Sequence, residues 1–332
     1  MAGTVEGTVL VRRAYPAAEL LQAHPPVLRN ANKRLLFDMA CPPGALHRGS
    51  VMFTRWAAMQ LPPKLPAVPP DLVAPVPGFY DYRPMLPGSV EWHVNFADPH
   101  LFVAYGGPLF AQDEMQVAEH PALGALREAL AAEGTASTTI SADGPTPILV
   151  SGVERRVCVR TNPDAAAGRP HGLYGNAFAA ASPDAIRRAA TVLDPPTVSN
   201  ILAMSAPPGG YGRYRRDEIG GILGTAYTGF RAAVLESARL RDGAPVVVHT
   251  GYWGCGAFAG NRVLMALLQV AAADLAGLGR LVLHTGAGGG ERPLVDALGL
   301  LGELLDAGPC TTDALVSALE EHGFQWGVSD GN

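Results

Sequence analysis

The sequence lacks the features that mark several large classes of protein. Only 17% of its 332 residues are charged and no basic run occurs, which argues against a disordered chain and against a general nucleic-acid binder. The longest apolar stretch, Val263 to Leu278, is interrupted by Gln269 and Asp274 and is too short and too polar to span a bilayer. The N-terminal residues carry no basic segment followed by an apolar one, so no signal peptide is predicted. We therefore expect a cytoplasmic protein that binds neither membrane nor nucleic acid.

Cysteine, lysine and several catalytic signatures are also scarce or missing. The four cysteines (41, 158, 255 and 310) form no CxxC pair, and the nine histidines show no metal-binding spacing, so no zinc or other metal site is expected. The absence of Gly-x-Ser-x-Gly removes support for an α/β-hydrolase, and the absence of a Walker motif excludes a P-loop. Lys33 and Lys64 are the only lysines among 25 basic residues, a bias typical of a GC-rich bacterial genome.

What the chain does contain indicates one large α/β unit with an N-terminal accessory segment. Hydrophobic residues make up 48%, enough for a sizeable core, and the 39 glycines and 29 prolines predict long loops. Residues 1–60 have the spacing of broken helices, with Val51, Arg55 and Met59 on one helical face. Residues 61–87 hold nine prolines and predict an extended connector. We predict a mainly helical accessory segment over 1–85, the main domain over 86–310 and a C-terminal tail over 311–332.

The clearest pattern lies in the C-terminal third. Residues 244–250 and 281–285 have the composition of buried strands, and each is followed by a Gly-rich loop and then by a helix, over 262–276 and 292–306. This alternation predicts an α/β domain with parallel pairing, in which ligands bind beyond the carboxyl ends of the strands. Upstream, residues 89–97, 146–150 and 155–160 predict strands. Residues 122–132, 182–194 and 215–240 predict helices, the last with a break near Gly220.

Residues 251–260 are the strongest candidate for a ligand site. Four glycines within ten residues allow backbone amides to approach an anion, and the following helix presents its positive end, so phosphate or diphosphate is the natural ligand. A tight turn without a ligand explains the glycines equally well. The flat side chains of Tyr252, Trp253 and Phe258 in the same loop suit a nucleotide.

The other candidate motifs each admit a structural explanation. The second Gly-rich loop, 286–290, has Glu291 where a dinucleotide fingerprint requires glycine, which disfavours an NAD site. Asp113 and Glu114 suit general acid/base chemistry, but acidic residues are also ordinary at a helix N-terminus. His249 and His284 end buried strands beside the Gly-rich loops; histidines at the edge of a core are the simpler explanation.

Taken together, these segments resemble the poly(ADP-ribose) glycohydrolase family. His249–Gly260, HTGYWGCGAFAG, is similar to the family's diphosphate loop, which contains Thr-Gly-Asn-Trp-Gly-Cys-Gly-Ala-Phe-Gly-Gly. Val94–Asp98, VNFAD, followed by QDE at 112–114, is similar to the family's Val-Asp-Phe-Ala-Asn and Gln-Glu-Glu at the same separation. Ala226–Phe230, AYTGF, matches a further family segment. The resemblance covers roughly residues 88–290.

The resemblance implies a macrodomain, a mixed or parallel sheet flanked by helices, that acts on an ADP-ribose-containing ligand without a cofactor. Glu114 matches the family's catalytic glutamate, which would protonate the leaving group at the distal ribose C1″ and then activate water. Asp113 matches the adjacent glutamate, which contacts that ribose. The further residues that it places against the ligand are Asn95, Asp98, Gln112, Tyr174, Asn176, Thr250, Gly251, Tyr252, Trp253, Gly254, Cys255, Gly256, Ala257, Phe258 and His284.

Departures from the family pattern cluster at the scissile end. Phe102, Val103 and Ala104 stand where the family has three glycines, and the family's Asp and Asn correspond here to Asn95 and Asp98. The sequence therefore predicts an ADP-ribosyl glycohydrolase whose acceptor is a protein, a polymer, a small molecule or an NAD-derived metabolite. The alternative is a non-catalytic ADP-ribose reader, and an NAD-using oxidoreductase is a weaker third possibility.

Overall fold

A computed structural model of the chain describes residues 7–65, 68–286, 290–307 and 311–331. The strands are β1 (Val9–Pro16), β2 (Ser50–Trp56), β3 (Val73–Val76), β4 (Val90–Phe96), β5 (Ile140–Ser141), β6 (Gly144–Pro145), β7 (Ile148–Val159), β8 (Ala190–Met204), β9 (Val246–Thr250) and β10 (Arg280–His284). The helices are α1 (Ala17–Ala23), α2 (Ala31–Ala40), α3 (Gln112–Glu119), α4 (Pro121–Ala132), α5 (Ala177–Ala180), α6 (Pro183–Ala189), α7 (Arg216–Leu240), α8 (Arg262–Ala276), α9 (Arg292–Asp306) and α10 (Thr312–His322).

One eight-stranded mixed sheet organises the chain, in the order β1-β2-β7-β8-β4-β9-β10-β3. The strands from β1 to β8 pair antiparallel, and those from β8 to β3 pair parallel. The parallel half contains both predicted strand–loop–helix units, with β4 and β9 as direct neighbours. The α/β fold class predicted from the sequence is confirmed.

Helices cover both faces of the sheet. Leu149 and Leu202 pack with α7 and α8 in one apolar cluster, whereas their neighbours Ile148 and Ile201 pack with α4 in another. This split follows from the pleat, since successive side chains of a strand point to opposite faces. Strand β9 is buried throughout because it lies inside the parallel half, which accounts for its uninterrupted apolar run.

The N-terminal prediction requires correction. Residues 50–56 form strand β2 and not a helix, so Val51 and Arg55 belong to a strand. Strand β2 pairs on both sides and is buried on both faces, and it therefore lacks the polar alternation that identifies a strand. Within the proline-rich stretch, β3 pairs in parallel with β10 at the sheet edge, a place that tolerates Pro75 because one side of the strand needs no donors. The domain boundaries remain a prediction, although strands from both sides of residue 85 share the sheet.

Other elements match the predictions or extend them. Strand β4, helix α4 and helix α8 occupy the predicted positions, and α7 runs without a break at Gly220. The segments 146–150 and 155–160 belong to one long strand, β7, and the helix predicted at 182–194 ends at Ala189, where β8 begins. Among the described residues, none of the helices is long and apolar enough to cross a membrane.

Candidate active site

A cleft of about 200 Å³ opens at the carboxyl ends of β4 and β9. The chain leaving β4 reaches the N-terminus of α3 on one side, and the chain leaving β9 forms a Gly-rich loop, residues 251–261, on the other. The residues that line the cleft are Phe96, Ala97, Asp98, Val103, Ala104, Leu109, Ala111, Gln112, Asp113, Glu114, Tyr174, Ala206, Trp253, Gly254, Gly256, Ala257 and Phe258. The two segments that carried the sequence-based prediction therefore meet in space.

Gln112 fixes the start of α3 against the end of β4. Its side-chain oxygen accepts a hydrogen bond from Phe96 N at 2.7 Å, and its amide nitrogen donates to Val94 O at 3.0 Å. Glu114 accepts a hydrogen bond from Ala111 N at 3.0 Å and so closes the first turn of the helix. These bonds place the carboxylate pair, Asp113 and Glu114, at a defined position in the cleft.

Burial changes the protonation of Asp113, the first residue of the carboxylate pair. Asp113 is 7% exposed and Glu114 4% exposed, and Asn95 Nδ2 donates to Asp113 Oδ1 at 3.0 Å. Burial, reinforced by the charge of Glu114, raises the pKa of Asp113 to about 8, against the opposing effect of the Asn95 bond. Asp113 therefore keeps its proton over much of the neutral range. A retained proton is what general acid catalysis requires.

Four amides of the Gly-rich loop make no backbone hydrogen bond within the described part of the chain. Within the loop, hydrogen bonds to carbonyl groups of residues 251–256 are donated by the amides of Trp253, Cys255, Ala259 and Gly260. By contrast, the amides of residues 254 and 256–258, all in the cleft lining, donate to no carbonyl among the described residues. Helix α8 follows, capped by Asn261, which accepts from Val263 N and Leu264 N at 3.1 and 3.2 Å. Amides and helix dipole together suit an anion.

Glycine is required at two points of this loop. Gly254 has φ +75, and a Cβ there would lie 2.5 Å from the Cβ of Ala206. A Cβ at Gly260 would lie 2.7 Å from the carbonyl oxygen of Gly254. The loop is therefore packed too tightly for side chains at these two positions.

Buried polar bonds attach the Gly-rich loop to the core. Trp253 is 1% exposed, and its Nε1 donates to Met204 O at 3.0 Å. Thr250 Oγ1 donates to Gln269 Oε1 at 2.6 Å, and Gln269 Nε2 donates to Gly251 O at 3.1 Å. Thr250 and Gly251 thus support the loop from behind and are absent from the cleft lining.

Residues 101–107, the wall loop, contribute a further part of the cleft lining. Phe102 is fully buried with φ +54, and Val103 and Ala104 line the cleft. The wall loop bonds to residues 27–33, since Gly106 O accepts hydrogen bonds from the amides of residues 29 and 30 at 2.9 and 3.0 Å. Val103 and Ala104 therefore place side chains in the cleft at positions that correspond to glycines in the family that the sequence resembles.

Several predicted ligand residues lie outside the cleft lining. Asn95 is buried and bonded to Asp113, Asn176 is exposed before α5, and Tyr252 and Cys255 are absent from the lining. His284 is buried, and its Nε2 lies 3.1 Å from Nδ1 of His249, whose Nε2 lies 2.8 Å from Glu91 Oε2. Burial lowers the pKa of His284 to about 4, helped by the charge of His249. Residues 287–289 of the second Gly-rich loop fall outside the described residues.

The sequence-based prediction missed part of the lining. Leu109, Ala111 and Ala206 contact the cleft without any polar signal of their own. Ala206 follows β8, the parallel neighbour of β4, and the apolar run 201–204 at the end of β8 was the available clue. Among the described residues, no group of three or more His, Cys, Asp or Glu side chains is arranged to hold a metal ion.

Comparison with protein families finds one match. Residues 176–286 match the profile of poly(ADP-ribose) glycohydrolase, macrodomain fold. The matched segment contains the Gly-rich loop, α7 and β8 to β10, and it does not contain the carboxylate pair. The resemblance predicted from the sequence is confirmed over this segment. Comparison with curated proteins finds no match.

Similar solved structures include bacterial poly(ADP-ribose) glycohydrolases. The Thermomonospora curvata enzyme bound to the inhibitor ADP-HPD is 20% identical, with 64% of this chain and 71% of that chain covered and a TM-score of 0.38. Another structure of the T. curvata enzyme is 17% identical, with 86% and 85% covered and a TM-score of 0.37. The Deinococcus radiodurans enzyme in complex with ADP-ribose is 12% identical, with 89% and 94% covered and a TM-score of 0.39.

Proposed function

We propose that this chain, which matches the glycohydrolase macrodomain over residues 176–286, hydrolyses the C1″ glycosidic bond of an ADP-ribosylated substrate. One observation carries the proposal. A buried carboxylate pair, in which Asp113 keeps its proton at neutral pH, and a loop with four amides that make no backbone hydrogen bond to the described residues line the same cleft. An ADP-ribosyl group needs both, because its diphosphate must be held while the bond at its distal ribose is broken.

In this mechanism the Gly-rich loop binds and the carboxylate pair reacts. The amides of residues 254 and 256–258 hold the diphosphate, with the N-terminus of α8 adding positive potential. Glu114, which has to enter this step as the carboxylic acid, donates its proton to the oxygen or nitrogen that leaves C1″, and positive charge develops on the ribose ring. Glu114, now a carboxylate, removes a proton from water as that water bonds to C1″. The products are ADP-ribose and the protonated acceptor.

Asp113 has the supporting role in this scheme. Its raised pKa, about 8, keeps it largely protonated at neutral pH, so it can donate a hydrogen bond to the distal ribose and stay neutral beside the developing charge of Glu114. Asn95 orients it through the 3.0 Å bond to Oδ1. Asn95 therefore contributes from behind the pair and does not contact the ligand.

Tyr174 is the candidate contact on the open side of the cleft. It lines the cleft and is 41% exposed, and burial of its hydroxyl, with the charges of Asp330 and Glu114, raises its pKa to about 12. A neutral, partly exposed aromatic ring suits stacking or hydrogen bonding with a nucleotide. We do not extend this role to Asn176 or His284, which lie outside the lining.

A non-catalytic ADP-ribose reader is the second candidate, and the wall loop favours it. Val103 and Ala104 place side chains at the distal-ribose end of the cleft. Those side chains narrow the space for an acceptor, while the diphosphate end keeps its open amides. The same narrowing would instead select small acceptors if the protein is an enzyme.

Calorimetric titration with ADP-ribose, AMP and NAD, followed by assay of ADP-ribose release, separates these candidates. For the enzyme we expect Glu114→Gln to keep ADP-ribose affinity within about threefold and to lower turnover at least about 100-fold, the usual contribution of a general acid. The matched control is Glu218→Gln, because Glu218 closes the first turn of α7 in the same way, accepting from Arg215 N at 2.8 Å, and is absent from the cleft lining.

Three outcomes lead to different conclusions. Tight ADP-ribose binding with turnover that Glu114→Gln abolishes supports the glycohydrolase. Tight binding without turnover on protein, polymer and small-molecule substrates supports the reader. Turnover that survives in Glu114→Gln removes Glu114 from its role, and absence of ADP-ribose binding removes the proposal altogether.

A further inference from the structure

Lys33 is an unusual residue for this chain. It is one of two lysines among 25 basic residues, and it is 2% exposed, whereas Lys64 is exposed. Burying an ammonium group is costly unless negative charge or hydrogen bonds compensate. Its burial therefore calls for negative charge or hydrogen-bond acceptors around the ammonium group.

A side-chain hydrogen bond connects Lys33 to the wall loop. Lys33 lies in the first turn of α2, where Asn30 Oδ1 accepts from its amide at 3.2 Å. Its Nζ donates to Tyr105 O at 2.7 Å, and the Tyr105 hydroxyl accepts from Val27 N at 2.6 Å. A Cβ at Gly106 would lie 2.2 Å from Val27 O, so the two segments are in closest contact here. Residues 27–33 thus clamp the wall loop.

The side chain of Lys33 also lies within electrostatic range of the carboxylate pair. Burial, together with the positive charge of Arg29, lowers the pKa of Lys33 to about 8. The negative charges of Glu114 and Asp113 act in the opposite direction and raise this pKa. In return, the charge of Lys33 opposes the rise in the pKa of Asp113. Helices α2 and α3 pack together, which accounts for this proximity.

Few other charged or titratable groups face this arrangement. Asp98, in the loop after β4, acts on Asp113 and raises its pKa further. Tyr174, after β7, faces Glu114 and Asp330. Among the groups that act on Asp113, Lys33 supplies the cationic charge.

We propose that Lys33 is a positioning residue of this site. Its ammonium holds the wall loop through the Tyr105 carbonyl and supplies the buried positive charge that offsets Asp113 and Glu114. The effect of Lys33 on the reaction rests on the proposed function, whereas its electrostatic effect on the carboxylate pair does not. It gives the N-terminal segment a role at the scissile end.

The scarcity of lysine allows a direct test that needs no substrate. Protein labelled with ¹³C at lysine Cε gives two lysine signals, and Lys64→Met assigns them. We expect the Lys33 signal to titrate near pH 8 and its midpoint to fall by about one unit or more in the double variant Asp113→Asn/Glu114→Gln. Glu218→Gln, outside the cleft, should leave the midpoint in place. An unchanged midpoint in the double variant overturns the proposal.

A second experiment tests the effect on the reaction. Lys33→Met should shift the limbs of the kcat/KM pH profile upward by about one unit, because loss of the positive charge raises the pKa of the carboxylate pair. Lys33→Arg should restore most of the wild-type profile, and Lys64→Met should not alter it. A lower melting temperature with unmoved limbs would make Lys33 merely structural. If the wild type shows no turnover, the proposed function fails, and the lysine titration still decides the present inference.

Discussion

Replacing Gly254 by alanine tests the Gly-rich loop at its tightest point. Two costs are expected, one from the backbone and one from contact. The left-handed conformation at φ +75 costs a side-chain-bearing residue about 1–2 kcal/mol. The added Cβ would lie 2.5 Å from the Cβ of Ala206, and relieving such overpacking costs about 1–3 kcal/mol more.

Gly277 provides a matched control for this change. It ends α8 with φ +76, and a Cβ there meets nothing within 4 Å. Gly277→Ala should therefore lose only the backbone part, about 1–2 kcal/mol of unfolding free energy. In urea denaturation, the free energy of unfolding of Gly254→Ala should be about 1–3 kcal/mol lower than that of Gly277→Ala. This difference measures the contact with Ala206.

The same pair of variants tests the binding role of the loop. Relief of the overlap has to move the loop, and the amides of residues 254 and 256–258 move with it. Hydrogen bonds to a charged group contribute about 1.5–3 kcal/mol each, so loss of one should weaken ADP-ribose binding by at least about tenfold. Calorimetry should show this for Gly254→Ala and normal affinity for Gly277→Ala. Equal stability losses together with equal affinities would refute the assignment of the diphosphate site.

Three further predictions concern the residues around the cleft. The pKa of Asp113 in the folded protein, about 8, lies above its value in the unfolded chain, so the wild type loses stability as pH rises from the unfolded pKa through 8. The melting temperature of Asp113→Asn should therefore rise relative to that of the wild type between pH 5 and 8. A difference in melting temperature that stays constant over this range would contradict the prediction. Trp253→Phe removes a buried hydrogen bond to a carbonyl of β8 and should lower the free energy of unfolding in urea by about 1–3 kcal/mol. Trp92→Phe, which removes the indole bond to Ser237, should lower it by a similar amount. Only Trp253→Phe should weaken ADP-ribose binding. Gly106→Ala should displace the wall loop and lower kcat/KM by more than it weakens ADP-ribose binding; a proportionate loss of both would argue against a wall confined to the scissile end.

Local chemistry made the parallel half of the fold predictable. Strand β9 and strand β10 are short apolar runs followed by glycines, and α8 begins at an Asn cap with an uninterrupted apolar face. Hydrophobic run, turn and cap all lie within about 30 residues, so the sequence holds the complete signal. The same holds for the pairing of QDE at 112–114 with a helix start, since the acidic first turn is a local feature.

Strands whose partners are distant in the chain were less readable. Strand β2 is buried on both faces between β1 and β7, and it shows no alternation because both of its faces contact protein. Strand β3 contains Pro75 and exists because β10, some 200 residues later, offers it an edge. Propensity within each segment says nothing about such partners.

The sequence by itself determined the parts of the candidate site whose chemistry is local. These are the Gly-rich loop after a buried strand, the carboxylate pair at a helix start and the strand–loop–helix order that brings both to one edge of a sheet. Only the tertiary structure decided that β4 and β9 are neighbours, that the pair is buried deeply enough to raise the pKa of Asp113, and that Lys33 from the N-terminal segment lies in range of it. The reason is that burial and electrostatic range depend on distances in space, which no spacing along the chain specifies.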